Sequence, residues 1–152
     1  MAQPNLLFIY TDQQRPDTLA AYGNDLIQMP NLNKLAEESV VFEQAYVAQP
    51  VCQASRSTLL TGLYPHTTGV NTGYYYNPLA KDTPCLPELI ERADYVRGHY
   101  GKWHVGDDVW AQHGFDDWIS IEDMQHRVVY LEGRDSFVNC TYHEFLVNEG
   151  FE

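Results

Sequence analysis

The first apolar block of the chain, Leu6-Leu7-Phe8-Ile9-Tyr10, is unbroken by polar residues and ends at Thr11-Asp12. A short continuous run of this kind predicts a strand buried on both faces. Asp12 and Gln13 would then stand at its carboxyl end, where open parallel sheets gather their ligands. Over residues 30–38 the period changes. Leu32, Leu35 and Ala36 fall at helical spacing, which predicts an amphipathic helix opened by Pro30 or Asn31. Val40-Val41-Phe42 and Ala45-Tyr46-Val47 predict a second strand region. Residues 55–63 predict a helix closed by Gly62, and residues 84–93 another, with Leu86, Leu89 and Ile90 on its apolar side. A strand over 95–100 leads into Gly101-Lys102-Trp103-His104-Val105-Gly106, and residues 142–148 read as helical. Strands alternating with helices indicate an α/β fold.

Composition narrows the choice of partner. Asp and Glu number 21 against 9 Lys and Arg, a net charge of −12, which argues against nucleic acid. An acidic chain that takes an anion must do so with a few local cations, backbone N–H groups or a metal ion. Its surplus carboxylates suit a hard cation. A hydrophobic fraction of 44% with 13% aromatic residues supports a packed core. No run reaches the length of a membrane span, and the N-terminal block is too short for a secretory signal. The expectation is a soluble, cytoplasmic protein with no membrane partner. Three scattered cysteines, Cys52, Cys85 and Cys140, form no disulfide framework, and without a CxxC pair no zinc site is expected.

Three clusters carry chemistry. Asp12-Gln13 sits at a strand end. Cys52 lies in a polar turn before Ser55, a good N-cap, which places it near the positive end of a helix with Arg56 one turn away. Lys102 and His104 are two residues apart, so in an extended segment both side chains share one face. A cation beside an imidazole suits charge stabilisation with proton transfer. Taken singly, each has an ordinary structural reading: a turn, a buried thiol with a solvated arginine, and a strand end.

In this order the clusters resemble the N-terminal part of a type I sulfatase of the alkaline-phosphatase-like superfamily. The resemblance is carried by the stretch from Asn5 to Arg15, by Pro30-Asn31-Leu32-Asn33-Lys34-Leu35-Ala36, by Cys52 to Gly62, by Gly101 to Gly106 and by Gly114-Phe115-Asp116. It implies a mostly parallel central sheet flanked by helices, incomplete here. Residues 1–152 are read as part of one catalytic domain without an internal boundary. It further implies that a maturation enzyme oxidises Cys52 to Cα-formylglycine, whose hydrate is the nucleophile of sulfate ester hydrolysis. Asp12, Gln13 and residue 52 would ligate a divalent cation, Ca²⁺ first, with Mg²⁺ and Mn²⁺ as alternatives. Arg56 would hold the hydrate, Lys102 the sulfate oxygens, and His104 would orient or deprotonate the second hydroxyl. Arg15 is read as a surface or supporting arginine.

The chain departs from the family's commonest pattern in three ways. Ala54 stands where proline is usual, Gln13 stands where many members have aspartate, and no later Asp-Asn or Asp-His pair completes the metal site. Gln13 keeps open a phosphodiester or phosphonate monoester hydrolase as an alternative. The missing pair keeps open an inactive fragment that binds an anion or a partner. The chain as given is expected to need a further portion or an oligomer for activity. Asp107-Asp108 and Asp116-Asp117 are read as solvated turns, and Cys85 and Cys140 as inert thiols. Tyr74, Tyr75 and Tyr76 are read as a loop near the cleft, while His66, His99, His113, His126 and His143 receive no catalytic role.

Overall fold

A computed structural model describes residues 4–71, 77–90, 95–121 and 140–151. The chain forms two compact units, Met1–Tyr46 and Val47–Glu152. Tyr74, Tyr75, Tyr76 and His126 lie outside the described residues.

In the first unit two single 3₁₀ turns, Pro16–Thr18 and Ala20–Tyr22, precede helix α1, Pro30–Glu37. Pro30 occupies the first helical position, as expected, because its missing N–H would have had no partner there. Asn24 organises the preceding turn. Its side-chain oxygen accepts from the N–H groups of Leu26 and Ile27, and its amide donates to the carbonyl of Asp17 at 2.7 Å. The two strand predictions in this unit are not met. Residues 6–10 form no ladder among the described residues and are 41–82% exposed, and residues 40–42 and 45–47 are likewise irregular and exposed. An all-apolar run becomes a buried strand only when neighbouring strands flank it and helices cover it. The described residues of this unit supply neither.

The second unit holds the core. Helix α2, Cys52–Thr61, ends at Gly62, whose left-handed backbone (φ 70°) lets its N–H reach the carbonyl of Thr58. The short helices α3, Pro65–Thr68, and α4, Leu86–Leu89, follow. The second is shorter than the predicted helix over 84–93: it stops at Ile90, whose backbone is extended, and residues 91–93 lie outside the described residues. Strand β1, Gly98–Lys102, pairs in parallel with β2, Asp117–Ile121, in the register His99 opposite Trp118. β1 thus begins and ends later than the strand expected over 95–100. Helix α5, Thr141–Asn148, matches its predicted position. It docks on β2 through Thr141, whose hydroxyl accepts from the N–H of Ser120 at 3.0 Å.

The core consists of Val70, Leu79, Cys85, Trp103, Val105 and Trp118. Its centre is aromatic: the Trp103 and Trp118 rings meet edge to face at 5.0 Å, with Phe115 against both. A parallel pair requires a crossover of a dozen residues or more. Here residues 103–116 make it without a regular helix, and 103–109 are buried throughout. No helix among the described residues is long and apolar enough to cross a membrane.

Candidate active site

The site in the second unit is assembled from the start of α2 and the carboxyl end of β1. Helix α2 begins at Cys52 itself. Val51, in an extended conformation, is the N-cap, and the N–H of Ser55 already bonds to the Val51 carbonyl at 2.8 Å. Ser55 is therefore inside the helix, not at its cap. Serine's capping preference yields here because the chain turns helical three residues earlier. The correction brings the half-buried Cys52 onto the first turn, whose N–H groups have no partner within the helix and lie at the positive end of its dipole. Arg56 follows four residues later on the same face.

Arg56 is 8% exposed. Its Nη1 donates to the main-chain carbonyl of Lys102 at 2.6 Å. That bond joins the helix bearing Cys52 to the strand end bearing Lys102. A guanidinium fits this position because its fork can satisfy a carbonyl while offering further N–H groups elsewhere.

The expectation that Lys102 and His104 share one face of an extended segment fails. β1 ends at Lys102, and His104 is left-handed, with φ 61°. A non-glycine residue holds such a backbone only where its surroundings fix it. His104 is 6% exposed, and its N–H is accepted by Asp108 Oδ1 at 3.3 Å. Of the flanking glycines, Gly101 has φ 119°, a backbone that any side chain would strain.

Asp107 and Asp108 are not solvated turns; each is only 1% exposed. Asp107 Oδ1 accepts from the Val109 N–H at 2.8 Å, so the pair builds the turn that carries His104. Their signal in the sequence was their position between Val105 and Val109-Trp110, in a stretch too apolar to face water. Asp116 is paired as well: its carboxylate receives Arg97 Nε at 3.0 Å and Nη2 at 3.3 Å, while Arg97 Nη1 donates to the Pro87 carbonyl. Asp117 accepts the Tyr100 hydroxyl at 2.6 Å.

His99, given no role on sequence grounds, lies close to Arg56 and Gly101. It packs on Trp118 with ring centroids 4.6 Å apart, and its Nε2 meets the Gly101 carbonyl at 3.1 Å. Burial holds its pKa below the usual histidine value against the opposing pull of that carbonyl, and the nearby Arg56 cation lowers it further. His99 is thus neutral beside a permanent cation.

Asp12 and Gln13 belong to the first unit, at an exposed bend where Gln13 is left-handed with φ 49°. Their carboxylate and amide oxygens form a donor set suited to a hard divalent cation. Arg15, two residues on, is exposed and paired with Asp17, its Nε donating to Oδ1 at 3.0 Å.

Residues 4–145 match the sulfatase family. The chain belongs to the sulfatase family. It is 35% identical over 127 residues to an ulvan-active sulfatase of Formosa agariphila, an alignment covering 79% of this chain and 24% of that protein. It is 35% identical over 130 residues to human N-acetylgalactosamine-6-sulfatase, covering 76% of this chain and 25% of that protein. A solved structure in complex with its substrate, D-glucosamine-2-N,6-O-disulfate, superposes with a TM-score of 0.69 at 31% identity, over 77% of this chain and 23% of that one. The chain spans about a quarter of the length of these relatives. The parallel pair flanked by helices is a part of their alkaline-phosphatase-like α/β fold.

Proposed function

We propose that this chain contributes the nucleophile and anion-binding part of a sulfatase that hydrolyses sulfate esters of carbohydrates. One observation supports the reading: Arg56, one turn after Cys52 on α2, donates to the main-chain carbonyl of Lys102 and so ties that helix to the segment that carries Lys102 and His104. The carbohydrate class is supported by the relatives, which are named for sulfated amino sugars and for ulvan.

The chemistry follows from residue types. A separate maturation enzyme, with its own two-electron oxidant, takes two hydrogens from the Cys52 CH₂SH group; water then replaces the sulfur, which leaves as hydrogen sulfide, and the resulting formylglycine adds water to form a hydrate with two hydroxyls. One hydroxyl loses its proton and attacks the ester sulfur. The bond from sulfur to the substrate oxygen breaks, and that oxygen leaves with the electron pair and takes up a proton as the alcohol. The second hydroxyl then loses its proton to a base, the role assigned to His104. The carbon–oxygen double bond re-forms as the bond to sulfate breaks, and water restores the hydrate. A serine or thiol nucleophile lacks the second hydroxyl and would stop at the sulfated enzyme.

Arg56 and Lys102 supply the positive charge that an acidic chain otherwise lacks for holding a sulfate, and the first turn of α2 adds its N–H groups. Asp12 and Gln13 offer oxygens that would hold a divalent cation, whose charge would acidify a hydroxyl bound to it. Calcium fits these oxygen donors, with Mg²⁺ and Mn²⁺ as alternatives.

The test is a peptide map across Cys52 from the native host, combined with assays on aryl sulfate and aryl phosphonate. Conversion lowers the residue mass by about 18 Da, and Cys52→Ala should abolish sulfate release. An unconverted thiol in fully active native protein would refute the mechanism. Faster turnover of the phosphonate would move the substrate assignment to that ester.

A further inference from the structure

A second cluster of ligating side chains, none of them among the residues assigned to hydrolysis, lies in the second unit. Cys85, at the cap of α4, Glu88 in its first turn, and His113 in the crossover each offer one ligand atom, and the three atoms lie within 4.8 Å of one another. Cys85 is fully buried, His113 is 7% exposed, and Glu88 is exposed. His113 Nδ1 is buried without a hydrogen-bond partner. A buried polar atom in that condition costs stability unless a ligand satisfies it, and an imidazole nitrogen is a good metal donor.

The backbone brings these groups together. His113 is left-handed (φ 49°) and Gly114 follows at φ 82°. A Cβ on Gly114 would lie 2.6 Å from Glu88 Cγ and 3.1 Å from the Glu88 main-chain nitrogen, so glycine is required for the turn to press this closely on α4. One oxygen of Glu88 is occupied by the Cys85 N–H at 2.9 Å; the other remains available for a ligand bond.

We propose that Cys85, Glu88 and His113 form a site for a thiophilic divalent transition ion of the Zn²⁺ class, with water as the fourth ligand. A sulfur, a nitrogen and an oxygen donor form a set that zinc accepts and that Ca²⁺ and Mg²⁺ do not. Tetrahedral zinc needs these atoms ~3.5 Å apart, a contraction that the exposed Glu88 side chain can supply by rotation. The His113 ring is kept neutral by burial, against the pull of Glu88 and the Thr83 carbonyl, so its lone pair is available. The Cys85 thiol, pushed up to about 12 by burial and Glu88, gives its proton to solvent when the metal–sulfur bond forms. A bound ion clamps the crossover to α4. His113 in turn packs on Trp103 at 5.9 Å, directly between Lys102 and His104 in the chain.

Titration of the purified protein with Co²⁺, followed by displacement with Zn²⁺, tests this. A thiolate-to-cobalt charge-transfer band should appear and saturate at one equivalent, any Co²⁺ on the Asp12 and Gln13 oxygens giving no such band. The band should vanish in Cys85→Ser and persist in Cys52→Ser and Cys140→Ser. Glu88→Gln preserves the helix cap and should weaken zinc binding by about tenfold or more. A folded protein that shows no band, a band that follows Cys52 or Cys140, or an unchanged affinity in Glu88→Gln overturns the assignment. The last of these decides the matter even if Cys85→Ser does not fold.

Discussion

Two of the three left-handed, non-glycine residues among the described ones, His104 and Gln13, stand at proposed site positions, and their bends are built in opposite ways. The His104 bend lies inside the second unit, held by the buried Asp107 and Asp108 carboxylates and by the Arg56 bond to Lys102. The Gln13 bend is exposed in the first unit, next to an apolar run with no strand partner among the described residues. The first geometry is a product of burial, so disturbing it costs folding free energy. The second rests on little packing of its own, and a cation bound to its oxygens is what would fix it. A group that stabilises a transition state must be held before the substrate arrives, and a buried scaffold does that. A metal ligand can be ordered by the ion it binds.

The largest expected contrast is between two arginines. Arg56→Ala removes a buried guanidinium and leaves the Lys102 carbonyl without its donor, which should cost about 3 kcal/mol in chemical denaturation. Arg15→Ala, at an exposed pair with Asp17, should leave the denaturation midpoint unchanged. Equal effects would remove the distinction between the two bends.

Next come the aspartates. Asp108→Ala should lower stability by about 1–3 kcal/mol, since the His104 N–H loses its acceptor in a dry turn. Asp12→Ala should leave the melting temperature in place while weakening Ca²⁺ binding, measured calorimetrically. A stability loss at Asp12 as large as that at Asp108 would show that the first bend is also held by packing.

A smaller effect is expected from pH. The folded protein keeps His99 neutral to a lower pH than the unfolded chain does. The stability associated with the neutral ring is therefore present above the unfolded value, near 6.5, and is lost as pH falls through the folded pKa. Thermal melts between pH 8 and 5, values chosen to straddle that range, should decline less in His99→Phe than in the parent. An identical decline would place the titrating group elsewhere. Gln13→Gly should also change stability little, within about 0.5 kcal/mol, because relief of the left-handed backbone and the added freedom of the unfolded chain nearly cancel.

What was legible in the sequence depended on how local its cause was. Pro30 opening α1, Gly62 closing α2 and the position of α5 follow from backbone rules acting over four or five residues, and each could be read directly. Membership of the sulfatase family was also legible, because the residue types and spacing around Cys52 and Lys102 form a specific motif. The start of α2 was missed because two local signals competed: Ser55 invites a cap, yet Val51 caps the helix with no side-chain bond.

Tertiary structure alone decided the rest. Asp107 and Asp108 read as solvated because carboxylates usually are; they are buried because the crossover between two parallel strands folds them beneath His104, where main-chain N–H groups receive them. Cys85, Glu88 and His113 carry no spacing signature, since α4 and the crossover that unite them are distant in the chain. The apolar run at residues 6–10 has the composition of a buried strand and is exposed, because burial requires neighbours that a run cannot supply for itself. Sequence by itself determined the family and the local turns, which depend on residue types and their near neighbours along the chain. Which groups are dry, paired or within reach of one another depends on neighbours in space, and only the fold decides those.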